Sequence, residues 1–232
     1  MKKFARITGT GSYLPPRIIT NSELEKKLDT SDEWITGRTG IKERRVVDGE
    51  STCDLALEAS KKALEMAEIS ASEIDLIILA TTTPDKIFPA TATMLQNRIG
   101  ANCPAFDLQA VCAGFVFALT TAQQYIENGV YKNVLVVGSE TMSRIVDWSN
   151  RSTAVLFGDG AGAVVLSQDN KTGIKFSKIH SDGSYLSALQ VNNNYINETG
   201  YIEMTGNAVY KIAVNQLSNL ADEIIKACNL NS

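Results

Sequence analysis

Histidine is almost missing from this sequence: His180 is the only one in 232 residues. That scarcity argues against a metal centre, because histidine clusters are the usual ligands of zinc and related ions. Clustered thiols are missing too. Cys53, Cys103, Cys112 and Cys228 lie far apart with no CxxC spacing. With no secretory signal ahead of them, reduced thiols in a cytoplasmic protein are the expectation. The start, Met1-Lys2-Lys3-Phe4-Ala5-Arg6, is positively charged but lacks the apolar run of a signal peptide. Long apolar runs are absent elsewhere as well; Ile74 to Ala80 falls far short of the ~20 residues that a membrane helix needs. Nor is there a basic excess. Lys and Arg number 22 against 26 Asp and Glu, a net charge of −4, which excludes a global nucleic-acid footprint. An acidic partner requires a local basic patch. What is present is ordinary globular composition, 44% hydrophobic and 21% charged, enough for a large core or two small domains.

Along the chain, Phe4 to Leu14 reads as a strand. Gly9 and Gly11 suggest a dinucleotide loop, but the third glycine is missing and Pro15-Pro16 follows instead of a helix. Asn21 to Leu28 predicts a short helix capped by Asn21, and Thr30 with Glu33 has capping-box spacing for a second helix. That helix puts Trp34 beside Arg38, either a surface cation–π pair or a clamp for a flat ring such as adenine. Ser51 to Glu68 has helical apolar spacing, with Leu55, Ala59 and Ala63 on one side and Lys61, Lys62 and Glu65 on the other. Ile74 to Thr81 reads as a strand covered on both faces. A loop with Pro84, Phe88 and Pro89 follows, then a helix from Thr91 to Ile99 stopped by Gly100.

Asn133 to Gly138 predicts a strand, and Ser139 to Asn150 an irregular stretch holding Trp148. Gly158 to Ala163 is glycine-rich but lacks the Gly-Lys-Ser/Thr ending of a phosphate-binding loop, so it reads as close backbone packing. The pattern describes an α/β layered domain with a mostly parallel sheet. A new unit opens near Ile174: a strand from Lys175 to Ser181, a polar loop with Asn192-Asn193-Asn194, then Tyr201 to Met204 and a helix from Gly206 to Asn229.

Cys112 stands out. Pro104 to Leu108 predicts a short strand and Cys112 to Asn128 a helix stopped by Gly129, which puts Cys112 at the turn between them. Such a turn aims unpaired backbone N–H groups and the positive end of a helix dipole at its occupant, an environment that suits a nucleophilic thiolate. Small neighbours Ala110, Ala113 and Gly114 leave room for a substrate. Position alone leaves two readings open, a nucleophile or one more buried cysteine.

Four segments together, DEWITGRTGIKERR, PAFDLQAVCAGFVFAL, DWSNRSTAVLFGDGAGA and MTGNAVYKIAV, resemble β-ketoacyl-acyl-carrier-protein synthase III of the thiolase superfamily. The resemblance runs in register along the whole chain. It implies a layered αβαβα fold of two repeats, with 1–173 the N-terminal repeat and 174–232 the start of the second. It implies a homodimeric acyltransferase that joins a short acyl-CoA to malonyl-acyl-carrier protein, with coenzyme A thioester as substrate and no cofactor. Cys112 falls on the acyl-accepting nucleophile. By position, Trp34 and Arg151 fall where the CoA adenine is held, and Arg38 at its phosphates. Thr30, Leu156, Met204, Gly206 and Tyr210 fall along the CoA and pantetheine channel. Phe88 matches a dimer-loop residue that limits primer size, and Lys211 a residue that docks the acidic carrier protein.

The sequence departs from the family in one respect. The family's decarboxylation donors, a His and an Asn, lie in the second repeat beyond the point matching Ser232, and His180 does not match that His. The expectation is a family member lacking its C-terminal third, able to acylate itself but not to complete condensation. The alternatives are a non-catalytic acyl-CoA-binding fragment, or another acyltransferase of the superfamily.

Overall fold

In the computed structural model, which describes residues 3–192 and 200–230, side chains along the central strands alternate between two separate cores. Asn193 and Asn194 of the asparagine stretch lie outside the described residues. In chain order the elements are β1 (Phe4–Tyr13), β2 (Arg17–Thr20), α1 (Asn21–Glu25), α2 (Asp32–Thr39), β3 (Glu43–Val46), α3 (Thr52–Ala67), β4 (Leu76–Ala80) and α4 (Thr91–Ile99). After them come β5 (Ala105–Leu108), α5 (Gly114–Glu127), β6 (Asn133–Thr141), α6 (Arg151–Ala154), β7 (Asp159–Asp169), β8 (Leu189–Val191), β9 (Ile202–Met204) and α7 (Gly206–Ala227).

The chain forms two compact units, each discontinuous in sequence: 1–17, 45–141 and 159–179 in one, and 18–44, 142–158 and 180–232 in the other. The boundary at 173/174 concerns repeats rather than compactness, and the two divisions need not coincide.

The first unit holds a five-stranded sheet in the order β1-β7-β6-β4-β5. β4 pairs in parallel with β5 and β6, whereas β7 runs antiparallel to both β1 and β6. The sheet is therefore mixed, with β7 alone reversed, where the sequence pattern suggested mostly parallel pairing. Because successive strand side chains point to opposite faces, Ile77, Leu79, Leu135, Val137 and Val165 join α3 and α4 in one core. Leu76, Ile78, Val134, Val136 and Leu166 join α5 in the other. Both faces are covered, which is why β4 and β6 read as unbroken apolar runs.

Ser51 caps α3 through a reciprocal capping box with Asp54. Gly9 and Gly11 press β1 onto that helix: a Cβ on either would lie 2.1 Å from the carbonyl oxygen of Ala63 or Ala59. In the expected stretch after Gly158, close packing holds at Gly160, where a Cβ would lie 2.9 Å from Leu14 Cδ2 and 3.6 Å from the Tyr13 carbonyl oxygen, and not at Gly162, where it meets nothing within 4 Å. β6 extends through Ser139, Glu140 and Thr141, which the sequence pattern left irregular, because β7 continues beside it and pairs these residues with Ala161, Gly160 and Asp159. Residues 175–181 form no strand. Ile174 donates to the Ala5 carbonyl at 2.9 Å, but among the described residues no strand lies beside 175–181 to pair with them.

In the second unit the predicted caps shift by one residue. Thr20 caps α1 by accepting from Glu23, and Ser31 caps α2 by accepting from Trp34 at 3.1 Å. Asn21, freed from capping, is buried. Its amide donates to Asp32 at 2.7 Å and to the Ile41 carbonyl at 2.8 Å, and its Oδ1 accepts both terminal nitrogens of buried Arg44. β8 and β9 pair antiparallel, and α7 follows β9 directly. Among the described residues no helix is long and apolar enough to cross a membrane.

Candidate active site

The route to Cys112 begins in β5, which is held beside β4 by the Thr81 N–H donating to the Leu108 carbonyl at 3.1 Å. The chain then leaves the sheet at Gln109 and Ala110 and makes one 3-10 turn, Val111–Ala113, before α5 starts at Gly114. Cys112 therefore sits in the turn ahead of the helix, which starts at Gly114, two positions later than the pattern predicts. The turn is tight because α5 lies hard against β4: a Cβ on buried Gly114 would lie 3.2 Å from that of Ala80. Val111 absorbs the bend with φ +48°, a left-handed conformation that costs a β-branched residue about 1–3 kcal/mol. No side chain caps α5, so its first N–H groups have no capping acceptor. The Cys112 thiol is exposed. Cys53 is buried and Cys103 half-buried, and burial pushes both of those thiols up, away from the reactive thiolate.

The same unit carries Phe88 on the loop between β4 and α4. Ile87 and Phe88 are 81% and 83% exposed at its tip, while its two ends are tightly bonded. Thr82 and Thr83 donate to the Glu140 carboxylate, and the Asp107 carboxylate accepts the N–H groups of Thr91 and Ala92 at 2.7 Å each. Burial raises both carboxyls above their ordinary range against the pull of those hydrogen bonds. Neither acid was singled out from the sequence. The available signal is a charged residue, Glu140, two positions past the apolar run from Val134 to Gly138.

In the second unit, Trp34 is half-buried and carries two guanidinium neighbours, Arg151 at 4.7 Å and Arg38 at 5.2 Å from the ring centroid. Arg151 also donates to the Asp29 carbonyl at 2.7 Å. The expected adenine clamp is thus closed on itself: Arg151 rests on the indole that a flat ring would share. The buried Thr30 hydroxyl has no hydrogen-bond partner among the described residues. Met204 ends β9 opposite Leu189, Leu156 is half-buried after α6, and Gly206 opens α7. Tyr210 is 71% exposed on the first turns of α7, and the adjacent Lys211 is exposed. The single histidine, His180, pairs with Glu223 at 3.2 Å. Among the described residues no three His, Cys, Asp or Glu side chains gather as metal ligands.

Comparison with known proteins assigns this arrangement. The family model for 3-oxoacyl-[acyl-carrier-protein] synthase III matches residues 106–183, the stretch around Cys112. A β-ketoacyl-[acyl-carrier-protein] synthase III from Vesicomyosocius okutanii is 68% identical over 232 residues, which are all of this chain and 74% of that protein. One from Neisseria meningitidis is 54% identical over 231 residues, covering 97% of this chain and 72% of that protein. The crystal structure of the Aquifex aeolicus 3-oxoacyl-[acyl-carrier-protein] synthase III superposes with a TM-score of 0.94 at 45% identity, over 98% of this chain and 73% of that one. The priming β-ketosynthase of the R1128 polyketide pathway superposes equally well at 35% identity, over 99% of this chain and 72% of that one. The chain has the thiolase-like α/β fold and belongs to the β-ketoacyl-[acyl-carrier-protein] synthase III family.

Proposed function

We propose that the protein is an acyltransferase that starts type II fatty-acid synthesis, condensing a short acyl-CoA, acetyl-CoA by preference, with malonyl-acyl-carrier protein. The observation that carries this reading is an exposed thiol, Cys112, on a strained turn at the head of an uncapped helix. The Cys112 thiolate attacks the thioester carbonyl, the bond to the CoA sulfur breaks, and CoA leaves as a thiolate that takes up a proton. Malonyl-carrier protein then loses CO₂. The resulting enolate attacks the acyl-cysteine carbonyl, a C–C bond forms, and the Cys112 thiolate is released.

Trp34, Arg38 and Arg151 are the residues for the CoA head group, with Arg151 swinging off the indole to admit the adenine. Thr30, Leu156, Met204, Gly206 and Tyr210 line the path of the CoA and pantetheine chain; the unpartnered Thr30 hydroxyl supports this assignment. Phe88 bounds the primer pocket of a partner copy in a homodimer. Exposed Lys211 docks the acidic carrier protein. The reaction needs no cofactor beyond its CoA thioester, and the cytoplasm is its compartment.

The donors that decarboxylation requires are assigned to no residue of these 232, since the only histidine is engaged with Glu223. This stretch therefore supplies the acylation half. A second reading is a non-catalytic acyl-CoA-binding protein. The R1128 neighbour favours another, transfer of a different acyl group within the superfamily. Radiolabelled acetyl-CoA discriminates among them. Label on Cys112, absent from C112S, is the expected result; no label on Cys112 overturns the reading, and faster labelling by a longer acyl-CoA shifts it to the third.

A further inference from the structure

The two ends of the Phe88 loop are bonded differently, and the end next to β4 depends on one carboxylate. Glu140 sits near the end of β6, opposite Gly160. Its oxygens accept the Thr82 N–H at 2.8 Å, the Thr83 N–H at 3.2 Å and the Thr83 hydroxyl at 2.6 Å. Thr83 is held further, because its Oγ1 accepts the Thr141 N–H at 2.8 Å and its carbonyl accepts the Thr52 hydroxyl. At the other end, Asp85 accepts the Cys53 N–H at 3.0 Å and donates its own N–H to Thr91 at 3.2 Å. Asp107 ties the start of α4 to β5, the strand that leads to Cys112. Between these ends Lys86 to Pro89 are exposed, with Ile87 and Phe88 the large apolar side chains at the tip.

A half-buried carboxylate such as Glu140 is costly unless its lone pairs are used. Three donors converging on two oxygens is a task for an acceptor-only group. A glutamine there turns an NH₂ toward at least one of those donors. We propose that Glu140 is a positioning residue that fixes the root of the Phe88 loop and thereby sets the acyl-chain length that the enzyme accepts. The proposal rests on the reading that Phe88 bounds the primer pocket, and the experiment separates the two.

Initial rates of Cys112 acylation by acetyl-CoA and by hexanoyl-CoA, followed by intact mass, are compared for the parent chain, E140Q, E140D, T83V and F88A. Hydrogen exchange is followed over Thr82–Ala90. The expected result for E140Q is a rise of about three-fold or more in the hexanoyl-to-acetyl ratio with faster exchange across the loop, since small displacements of a pocket wall change selectivity by such factors. T83V, which removes the hydroxyl donor to Glu140 together with the acceptor of the Thr141 N–H and keeps the carboxylate, moves the ratio the same way. E140D, an acceptor of shorter reach, restores part of it. A merely structural role lowers both rates together and leaves the ratio alone. If F88A raises the ratio while E140Q and T83V leave it within about two-fold of the parent, the role of Glu140 is refuted. If F88A itself leaves the ratio unchanged, the Phe88 reading fails and the selectivity claim falls with it. Should E140Q not fold, T83V decides.

Discussion

Val111 holds φ at +48° although it is β-branched and 45% exposed, so little packing offsets the strain. Glycine at this position relieves about 1–3 kcal/mol of backbone strain and gives back about 1 kcal/mol of unfolded-state entropy. V111G is therefore expected to be neutral or stabilising in urea denaturation, where a Val→Gly change in a strand is strongly destabilising. The same change loosens the turn that aims the thiol, so the acetyl-CoA labelling rate of Cys112 should fall while stability does not. A parallel fall in both refutes the strain account. Glu140 gives a second test, in pH. Burial lifts its folded-state value above the ordinary 4.5. A raised carboxyl stabilises the fold fully below the unfolded value and loses that contribution as pH rises through the folded one. Glutamine does not titrate. The melting temperature of the parent relative to E140Q is thus expected to be most favourable below pH 4.5 and to decline as pH rises above it. A difference that is flat or grows with pH contradicts the assignment.

Gly11 and Gly162 lie in the same ladder, one register step apart, yet their surroundings are opposite: a Cβ on Gly11 would lie 2.1 Å from the Ala59 carbonyl oxygen, and one on Gly162 meets nothing within 4 Å. G11A forces α3 off β1 and is expected to cost about 3 kcal/mol or more, whereas G162A stays within about 1 kcal/mol. Paired urea midpoints check this, and equal losses refute it. The pair also shows what the sequence withholds. Both glycines sit in glycine-rich stretches, and which one faces a helix backbone depends on packing between elements far apart in the chain. Where a signal is local, the sequence carried it: α3, α4, β4 and the turn at Cys112 follow from spacing, caps and glycine stops. The strand predicted at 175–181 fails because pairing needs a neighbour, and apolar alternation does not reveal whether one is present. The role of Glu140 is hidden for a related reason, since its donors, Thr82 and Thr83, lie at another strand's exit.

The family assignment fixes what the whole molecule must present, and α7 shows where surface and stability part company. Val214, Leu217 and Ile224 recur along one side of this helix, and Leu217 is 65% exposed. Tyr210 continues the same side toward the helix start. An exposed apolar face of this kind promotes association without contributing to the fold that bears it. Replacing Leu217 with aspartate removes apolar surface that is already in water, so the folded state loses little. The substitution also adds to a net charge that is already −4, and added acidic residues favour solubility. L217D is therefore expected to change the urea midpoint by no more than about 0.5 kcal/mol in stability and to lower light scattering at micromolar concentration. The Cys112 labelling rate should stay at the parent value, because α7 beyond its first turns carries none of the proposed substrate contacts. Sedimentation of the same variant separates two kinds of association. A homodimer that survives L217D assembles through another surface, whereas a variant that turns monomeric places the dimer contact on α7. Unchanged scattering shows that this apolar face does not drive self-association.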